Sequence, residues 1–121
     1  MIRKIECVCM PTKDIAASEA FYLSLGLTRG WIIERPRPDG GIWTLIGLKF
    51  PDVASSELVL SDNADIDFPE VELAVDDVRA TFAELRGYAG VTWIREPFAT
   101  ESGHVAVMEA PDGNVFVLVG A

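Results

Sequence analysis

The chain has no hydrophobic run of the length that a membrane requires. None of its 121 residues lies in a stretch approaching the ~18 apolar residues of a spanning helix. The N-terminal sequence MIRKIECVCMPTKD has basic residues but no long apolar segment after them, so we expect no signal peptide. Basic residues are scarce, since 10 Lys and Arg stand against 19 Asp and Glu and give a formal net charge of −9. We therefore expect neither nucleic acid nor an anionic membrane as a partner, because both would be repelled.

Cysteine is also rare, and the two residues present are Cys7 and Cys9. On a predicted first strand they point to the same face, roughly 6.5–7 Å apart at Cα, which is at or beyond the reach of a relaxed disulfide. We expect both to remain thiols in a reducing, cytoplasmic compartment. Small buried strand residues are a simpler interpretation of them than nucleophiles.

The hydrophobic pattern predicts one domain, residues 1–121, in which the order strand, helix, strand, strand, strand occurs twice. In the first half the predicted strands are Lys4–Thr12, Thr28–Glu34, Gly41–Leu48 and Glu57–Leu60, and Asp14 caps a helix from Ile15 to about Leu25. In the second half they are Glu70–Val75, Val91–Arg95, Gly103–Met108 and Val115–Val119, with a helix after Asp76 or Asp77. A shift of 63 positions places Asp14 on Asp77 with similar residues following both, which indicates a duplicated unit.

Alternation along the strands predicts which side chains face the helices. In Glu70–Val75 the apolar residues Val71, Leu73 and Val75 are expected beneath the second helix, and the two glutamates on the other face. The same reasoning places Val8, Met10, Leu58, Leu60, Phe116 and Leu118 toward a helix, and Cys7, Cys9, Glu57, Val59, Ser61, Val115, Val117 and Val119 away from one. The predicted buried stripe is Ala17, Phe21 and Leu25 with Tyr22 in the first helix, and Val78, Phe82 and Leu85 in the second.

Four segments resemble the glyoxalase / bleomycin-resistance / extradiol-dioxygenase superfamily, the vicinal oxygen chelate proteins. They are DIAASEAFYLSLGL (14–27), ELVLSDN (57–63), VELAVDDVRATFAEL (71–85) and APDGNVFVLV (110–119). The resemblance implies an α+β fold in which two βαβββ modules, about 1–63 and 67–121, form a curved mixed sheet around a cleft with the helices on the convex side. The hydrophobic pattern predicts the same order of elements independently.

Metal-dependent members of that superfamily hold their ion with four side chains, typically His, Glu or Gln. The resemblance carries these four positions to Cys7, Glu57, Glu70 and Val117. Valine has no donor atom, and the only histidine, His104, is at none of the four positions. We therefore expect no metal cofactor. The alternative is a divalent metal such as Zn, Ni, Mn or Fe held by Cys7, Glu57 and Glu70.

The predicted cleft combines carboxylates with apolar walls. We expect it to be lined by Cys7, Cys9, Trp43, Glu57, Val59, Glu70, Glu72, Val115 and Val117. The resemblance to the bleomycin-resistance branch implies a homodimer that binds a small cationic or aromatic molecule without a metal and without chemistry. The alternative is a metal-dependent lyase, isomerase or dioxygenase. Close carboxylates also raise one another's pKa, which would suit one of them to acid or base work.

Aromatic residues are the remaining candidates for the site. We expect one of Trp31, Trp43 and Trp93 to form a wall that stacks on a flat or cationic ligand. His104 follows Glu-Ser-Gly at a strand start, and the prediction for it is an exposed edge position rather than a catalytic one.

Overall fold

The computed structural model describes the whole chain, Met1–Ala121. Its elements are β1 (Ile2–Pro11), α1 (Ile15–Ser24), β2 (Thr28–Pro36), β3 (Ile42–Lys49), β4 (Glu57–Ser61), β5 (Glu70–Val75), α2 (Val78–Leu85), β6 (Thr92–Thr100), β7 (Gly103–Glu109) and β8 (Val115–Gly120). This order confirms the α+β class and the two βαβββ modules. Neither helix is long and apolar enough to cross a membrane.

The first compact unit comprises Cys7–Pro69. Its strands lie in the order β2-β3-β4-β1, with β1 parallel to β4 and the other pairs antiparallel. The core between this sheet and α1 consists of Leu27, Ile46, Leu48 and Leu60, which are at most 9% exposed. The Asp14 side chain accepts a hydrogen bond from the backbone N–H of Ala17 and so caps α1, as predicted.

The predicted buried stripe of α1 is wrong. Phe21 is 58% and Leu25 62% exposed, and no residue of the helix is fully buried. Of the predicted residues only Tyr22 packs against the core, together with Ile15, which is seven positions away and therefore on the same helical face. The error has a physical cause: α1 is apolar on nearly all sides, so its pattern does not mark a face.

The second compact unit comprises Glu70–Ala121 together with Met1–Glu6, so the start of β1 is counted with it. Its order β5-β8-β7-β6, with β5 parallel to β8, repeats that of the first unit. Val75, Val78, Ala106, Met108 and Leu118 form the core, with Leu85 packed against it from α2. The cap of α2 is Asp77, whose side chain accepts from the backbone N–H of Ala80.

Strand β6 is longer than predicted, because it ends at Thr100 rather than Arg95. Pro97 lies within it, and the pairing with β7 shifts between Trp93 and Arg95 and again between Arg95 and Phe98. Proline is tolerated in edge strands and at bulges, and β6 is an edge strand with bulges. The strand therefore continues past Pro97, whereas the predicted strand stopped at Arg95.

The predicted faces of the strands are confirmed. Met10, Leu58 and Leu60 pack in the core beneath α1, while Cys7, Cys9 and Val59 form a separate cluster. Leu73, Phe116 and Leu118 pack in the core beneath α2. Each unit thus has one sheet face covered by its helix and one without a helix, which we call the helix-free face.

Candidate functional site

The residues predicted to line a cleft lie on helix-free faces. Those of the first unit are Cys7, Cys9, Trp43, Glu57 and Val59, and those of the second are Glu70, Glu72, Val115 and Val117. Strand alternation and the pairing of the strands, in which Cys7 lies beside Glu57 and Glu72 beside Val117, place each group on one face.

The floor of the first face is apolar and closely packed. Cys7, Cys9 and Val59 are 3%, 7% and 2% exposed, and Trp31 and Leu45 pack against them. Neither cysteine forms a disulfide, as predicted. The two sulfur atoms are shielded from solvent in this cluster, and a shielded thiol is a poor nucleophile. We therefore interpret both cysteines as packing residues.

Trp31 lies across this floor and holds the carboxylate of Glu57. Its ring covers Gly47, where a Cβ atom would come within 2.0 Å of the indole Cε2, so the position accepts only glycine without a shift. The indole Nε1–H donates a hydrogen bond of 3.0 Å to Glu57 Oε1. Trp31 is therefore one of the predicted aromatic walls, and its ring is fixed at both the face and the nitrogen.

Lys49 engages the second oxygen of the same carboxylate, and the sequence reasoning missed it. Its ammonium Nζ lies 2.9 Å from Glu57 Oε2. Its methylene stem runs over Gly30, where a Cβ would be 2.8 Å from Lys49 Cε. Gly30 is the extra residue where the β2–β3 pairing shifts between Arg29 and Trp31. The alternation Leu45, Gly47, Lys49 is the signal that places Lys49 on this face.

Trp43 lies farther along the same face. It pairs with Arg35 across β2 and β3, and the Arg35 guanidinium carbon is 5.2 Å from the centroid of the Trp43 ring. This distance is typical of a cation–π contact. The face therefore carries the cations Lys49 and Arg35 as well as the carboxylate of Glu57.

The second face carries two neighbouring glutamates on β5. Glu70 and Glu72 project from β5 on the side away from α2, beside Val117, which is 7% exposed. Burial raises the pKa of the Glu70 carboxyl above its ordinary value, and the negative charge of Glu72 raises that pKa further. No cation of the chain contributes to the pKa of Glu70. The face thus holds a partly buried carboxyl that lacks a counter-ion.

Two candidates lie elsewhere. Trp93 packs into the core beneath α2, edge-on to Phe82 at 4.7 Å between ring centroids, so it forms no wall of a helix-free face. His104 lies on β7 between β8 and β6, half-buried, and the prediction of an exposed edge residue is wrong. The cause is that β6 continues past Pro97 and covers β7. Trp93 Nε1 and His104 Nδ1 are buried without a hydrogen-bond partner.

The donor atoms of neither unit fit a divalent metal. Within each unit, no three His, Cys, Asp or Glu side chains are grouped so that they could hold an ion. Both oxygens of Glu57 already accept from Trp31 and Lys49. Val117 presents only methyl groups, and a divalent ion beside Glu57 would lie next to the Lys49 ammonium.

Comparison with known proteins places the chain in a family. A family model described as Glyoxalase/Bleomycin resistance protein/Dioxygenase superfamily matches residues 4–118. No curated protein sequence matches the chain. A hypothetical protein from Bacillus halodurans C-125 has a similar structure, with 17% identity and a TM-score of 0.74 over 98% of this chain and 94% of that one.

Two epimerase structures are similar to the same degree. Methylmalonyl-CoA epimerase from Mycobacterium tuberculosis has 19% identity and a TM-score of 0.73 over 98% of this chain and 88% of that one. A variant of the enzyme from Streptomyces coelicolor, in complex with 2-nitronate-propionyl-CoA, has 19% identity and a TM-score of 0.76 over 100% and 99%. At these identities the likeness shows the fold alone.

Proposed function

The chain belongs to the Glyoxalase/Bleomycin resistance protein/Dioxygenase superfamily, and from this premise we propose that it binds a small organic cation, without a metal, on the helix-free face of the second unit. The observation that supports this proposal is the raised pKa of Glu70, which burial and Glu72 cause and no cation of the chain offsets. A cationic ligand supplies the missing positive charge. Val115 and Val117 provide apolar surface for the body of the ligand.

The magnitude of the attraction favours modest affinity. A unit positive charge about 4 Å from a carboxylate gains roughly 1 kcal/mol in bulk water and up to about 4 kcal/mol near a protein surface. Two carboxylates and some apolar contact therefore give a dissociation constant between about 1 mM and 1 μM. This attraction requires both carboxylates to be ionised. The carboxyl of Glu70 is ionised only above its raised pKa, so binding weakens as the pH falls through that pKa.

Calorimetric titration tests this function. The ligands are benzyltrimethylammonium and a cationic glycopeptide of the bleomycin type. Titration of the glycopeptide tests whether the proposed binding extends to a role in antibiotic resistance. We expect binding that weakens with salt and at least a tenfold loss in Glu70→Gln. Glu84→Gln is the matched control, because Glu84 is an exposed residue of α2 on the covered side of the sheet and the charge change is the same. Absence of salt-sensitive binding, or an equal loss in both variants, contradicts the proposal.

The raised pKa of Glu70 also favours a second candidate, proton transfer at carbon. A carboxylate with a raised pKa is a stronger base, and its acid form still exists nearer to neutral pH. Glu70 would take a proton from a carbon beside a carbonyl and return it to the enolate that forms. Deuterium incorporation from D₂O into acyl thioesters, lost in Glu70→Gln and kept in Glu84→Gln, would favour this enzyme over the binding protein. The metal-dependent alternative, with Cys7, Glu57 and Glu70 as ligands, would require Glu57 to exchange its contacts with Trp31 and Lys49 for a metal ion.

We propose further that the protein is a cytoplasmic homodimer. Phe21 and Leu23 of α1, and Leu25 just after it, are apolar side chains with 41–62% exposure, and they support a second copy as their cover. Two cysteines without a disulfide suit a reducing compartment. Light scattering after size exclusion is expected to give twice 13.2 kDa for the native chain and a monomer for a Phe21→Glu, Leu25→Glu double variant. A native monomer at tens of micromolar contradicts the dimer.

A further inference from the structure

The ammonium of Lys49 is held in place, unlike that of an ordinary surface lysine. Its stem lies over Gly30 at the β2 bulge, and Nζ is 2.9 Å from Glu57 Oε2. Glu57 is itself fixed, because its other oxygen accepts from Trp31 Nε1–H and its side chain is only 20% exposed. Two glycines, Gly30 and Gly47, make the room in which these two donors converge on one carboxylate.

The outer side of this ammonium remains accessible. The Lys49 side chain is 58% exposed, although its partner Glu57 is mostly shielded. An ammonium has three N–H donors, and the contact with Glu57 uses one side of it. Donors on the solvent side are thus available to an oxygen atom of a ligand without loss of the pair with Glu57.

The surroundings of Lys49 select the kind of ligand. Next to it lies the Trp31 ring, above the buried floor of Cys7, Cys9 and Val59. Farther along, Arg35 adds a second positive charge above Trp43. A flat apolar body suits the indole, and an anionic oxygen suits the ammonium beside it.

We propose that Lys49 and Trp31 form a metal-independent binding subsite for a small aromatic carboxylate on the helix-free face of the first unit. The carboxylate accepts from Lys49 Nζ, and the ring stacks on the indole of Trp31. Glu57 acts as a positioning residue, since it orients both donors. This subsite uses Lys49, Trp31 and Glu57, whereas the cation site proposed on the second unit uses Glu70 and Glu72.

Sodium benzoate is the probe, followed by ¹⁵N–¹H spectra in which the indole N–H signal of Trp31 reports on Glu57. At constant ionic strength we expect saturable shifts of that signal with a dissociation constant of about 1 mM. Benzylamine, with the same ring and the opposite charge, is expected to bind at least tenfold more weakly. No saturable shift with benzoate at tens of millimolar, or an equal response to benzylamine, overturns the proposal.

Variants separate this subsite from general charge effects. Lys49→Met keeps the stem over Gly30 but removes the charge, and it is expected to weaken benzoate binding at least tenfold. Lys13→Met, at an exposed loop position, makes the same charge change and is expected to leave binding unchanged. Equal affinity of Lys49→Met and Lys13→Met overturns the assignment, and so does loss of benzoate binding on addition of EDTA.

One measurement needs no variant, in case Lys49→Met does not fold. Nuclear Overhauser contacts between benzoate ring protons and Trp31 ring protons are expected in the native protein. Their presence supports stacking on Trp31, and their absence at saturating benzoate overturns the subsite.

Discussion

Replacing Gly47 by alanine tests the packing of Trp31 that positions the Glu57 carboxylate. A Cβ at residue 47 would lie 2.0 Å from the indole Cε2 and 2.2 Å from Nε1. No side chain tolerates such distances, so the ring must leave its place above β3. The hydrogen bond from Trp31 to Glu57, at 3.0 Å, is then lost.

The expected cost follows from three contributions. Overpacking of a well-packed site costs about 1–3 kcal/mol, and a lost hydrogen bond to a charged group about 1.5–3 kcal/mol. Alanine loses less backbone entropy on folding than glycine does, and this offsets about 0.5–1 kcal/mol of the cost. Because Trp31 is half-buried and can rotate toward solvent, the net loss is nearer the middle of the range, about 3 kcal/mol.

Urea unfolding followed by circular dichroism measures this loss in free energy of unfolding, with the Trp31 indole N–H signal as a local probe. Gly87→Ala is the matched control, because a Cβ there meets no atom within 4 Å and the backbone is outside the left-handed region. The control is expected to change stability by less than about 1 kcal/mol. If Gly47→Ala were as stable as Gly87→Ala and the indole signal were unmoved, the described packing of Trp31 would be wrong.

Three further predictions concern the second unit and its core. Leu118→Ala, at a fully buried position, is expected to lower the free energy of unfolding in urea by about 3 kcal/mol. Leu25→Ala, at a 62% exposed position, is the control and should lower it by less than about 1 kcal/mol. Equal losses would contradict the two burial assignments. Asp77→Ala removes the oxygen that accepts from Ala80 N–H and should lower the free energy of unfolding by about 1 kcal/mol. Asp77→Asn keeps an accepting oxygen and should retain most of the native stability. Equal stability of the two variants would contradict the cap. Because the pKa of Glu70 is raised in the folded chain, the folded state binds the proton more tightly than the unfolded state, so stability is lost as the pH rises through that raised pKa. Glu70→Gln should therefore raise the melting temperature near neutral pH and leave it unchanged below the ordinary pKa of glutamate, and a variant less stable than the native chain at neutral pH would contradict the sign.

Strict alternation made the strand faces predictable. In Glu70–Val75 polar and apolar residues alternate, and successive side chains of a strand must point to opposite faces, so the sequence placed Glu70 away from α2 correctly. The same principle placed Cys7 and Val59 together. In α1 no such contrast exists, because apolar residues of one kind or another occur on every side of the helix. Its packing face, with Ile15 and Tyr22, is decided by the sheet it rests on.

The Trp31–Glu57–Lys49 contacts depend on pairing between strands, which the sequence does not define. Trp31 meets Gly47 because the β2–β3 register shifts at Gly30. The loop from Arg37 to Gly41, where the Arg37 N–H donates to the Gly41 carbonyl at 2.6 Å, joins these two strands. A slip of one residue in this hairpin would move every one of these side chains to the other face. The bulge is therefore the feature that sequence periodicity could not supply.

The pKa of Glu70, measured by carboxyl ¹³C NMR with and without a cation, tests the central claim most directly. The account predicts a pKa above the ordinary value for glutamate in the unliganded protein and a fall toward or below that value when benzyltrimethylammonium saturates the face. An ordinary pKa without ligand, or a raised pKa that the cation leaves unchanged, would contradict it.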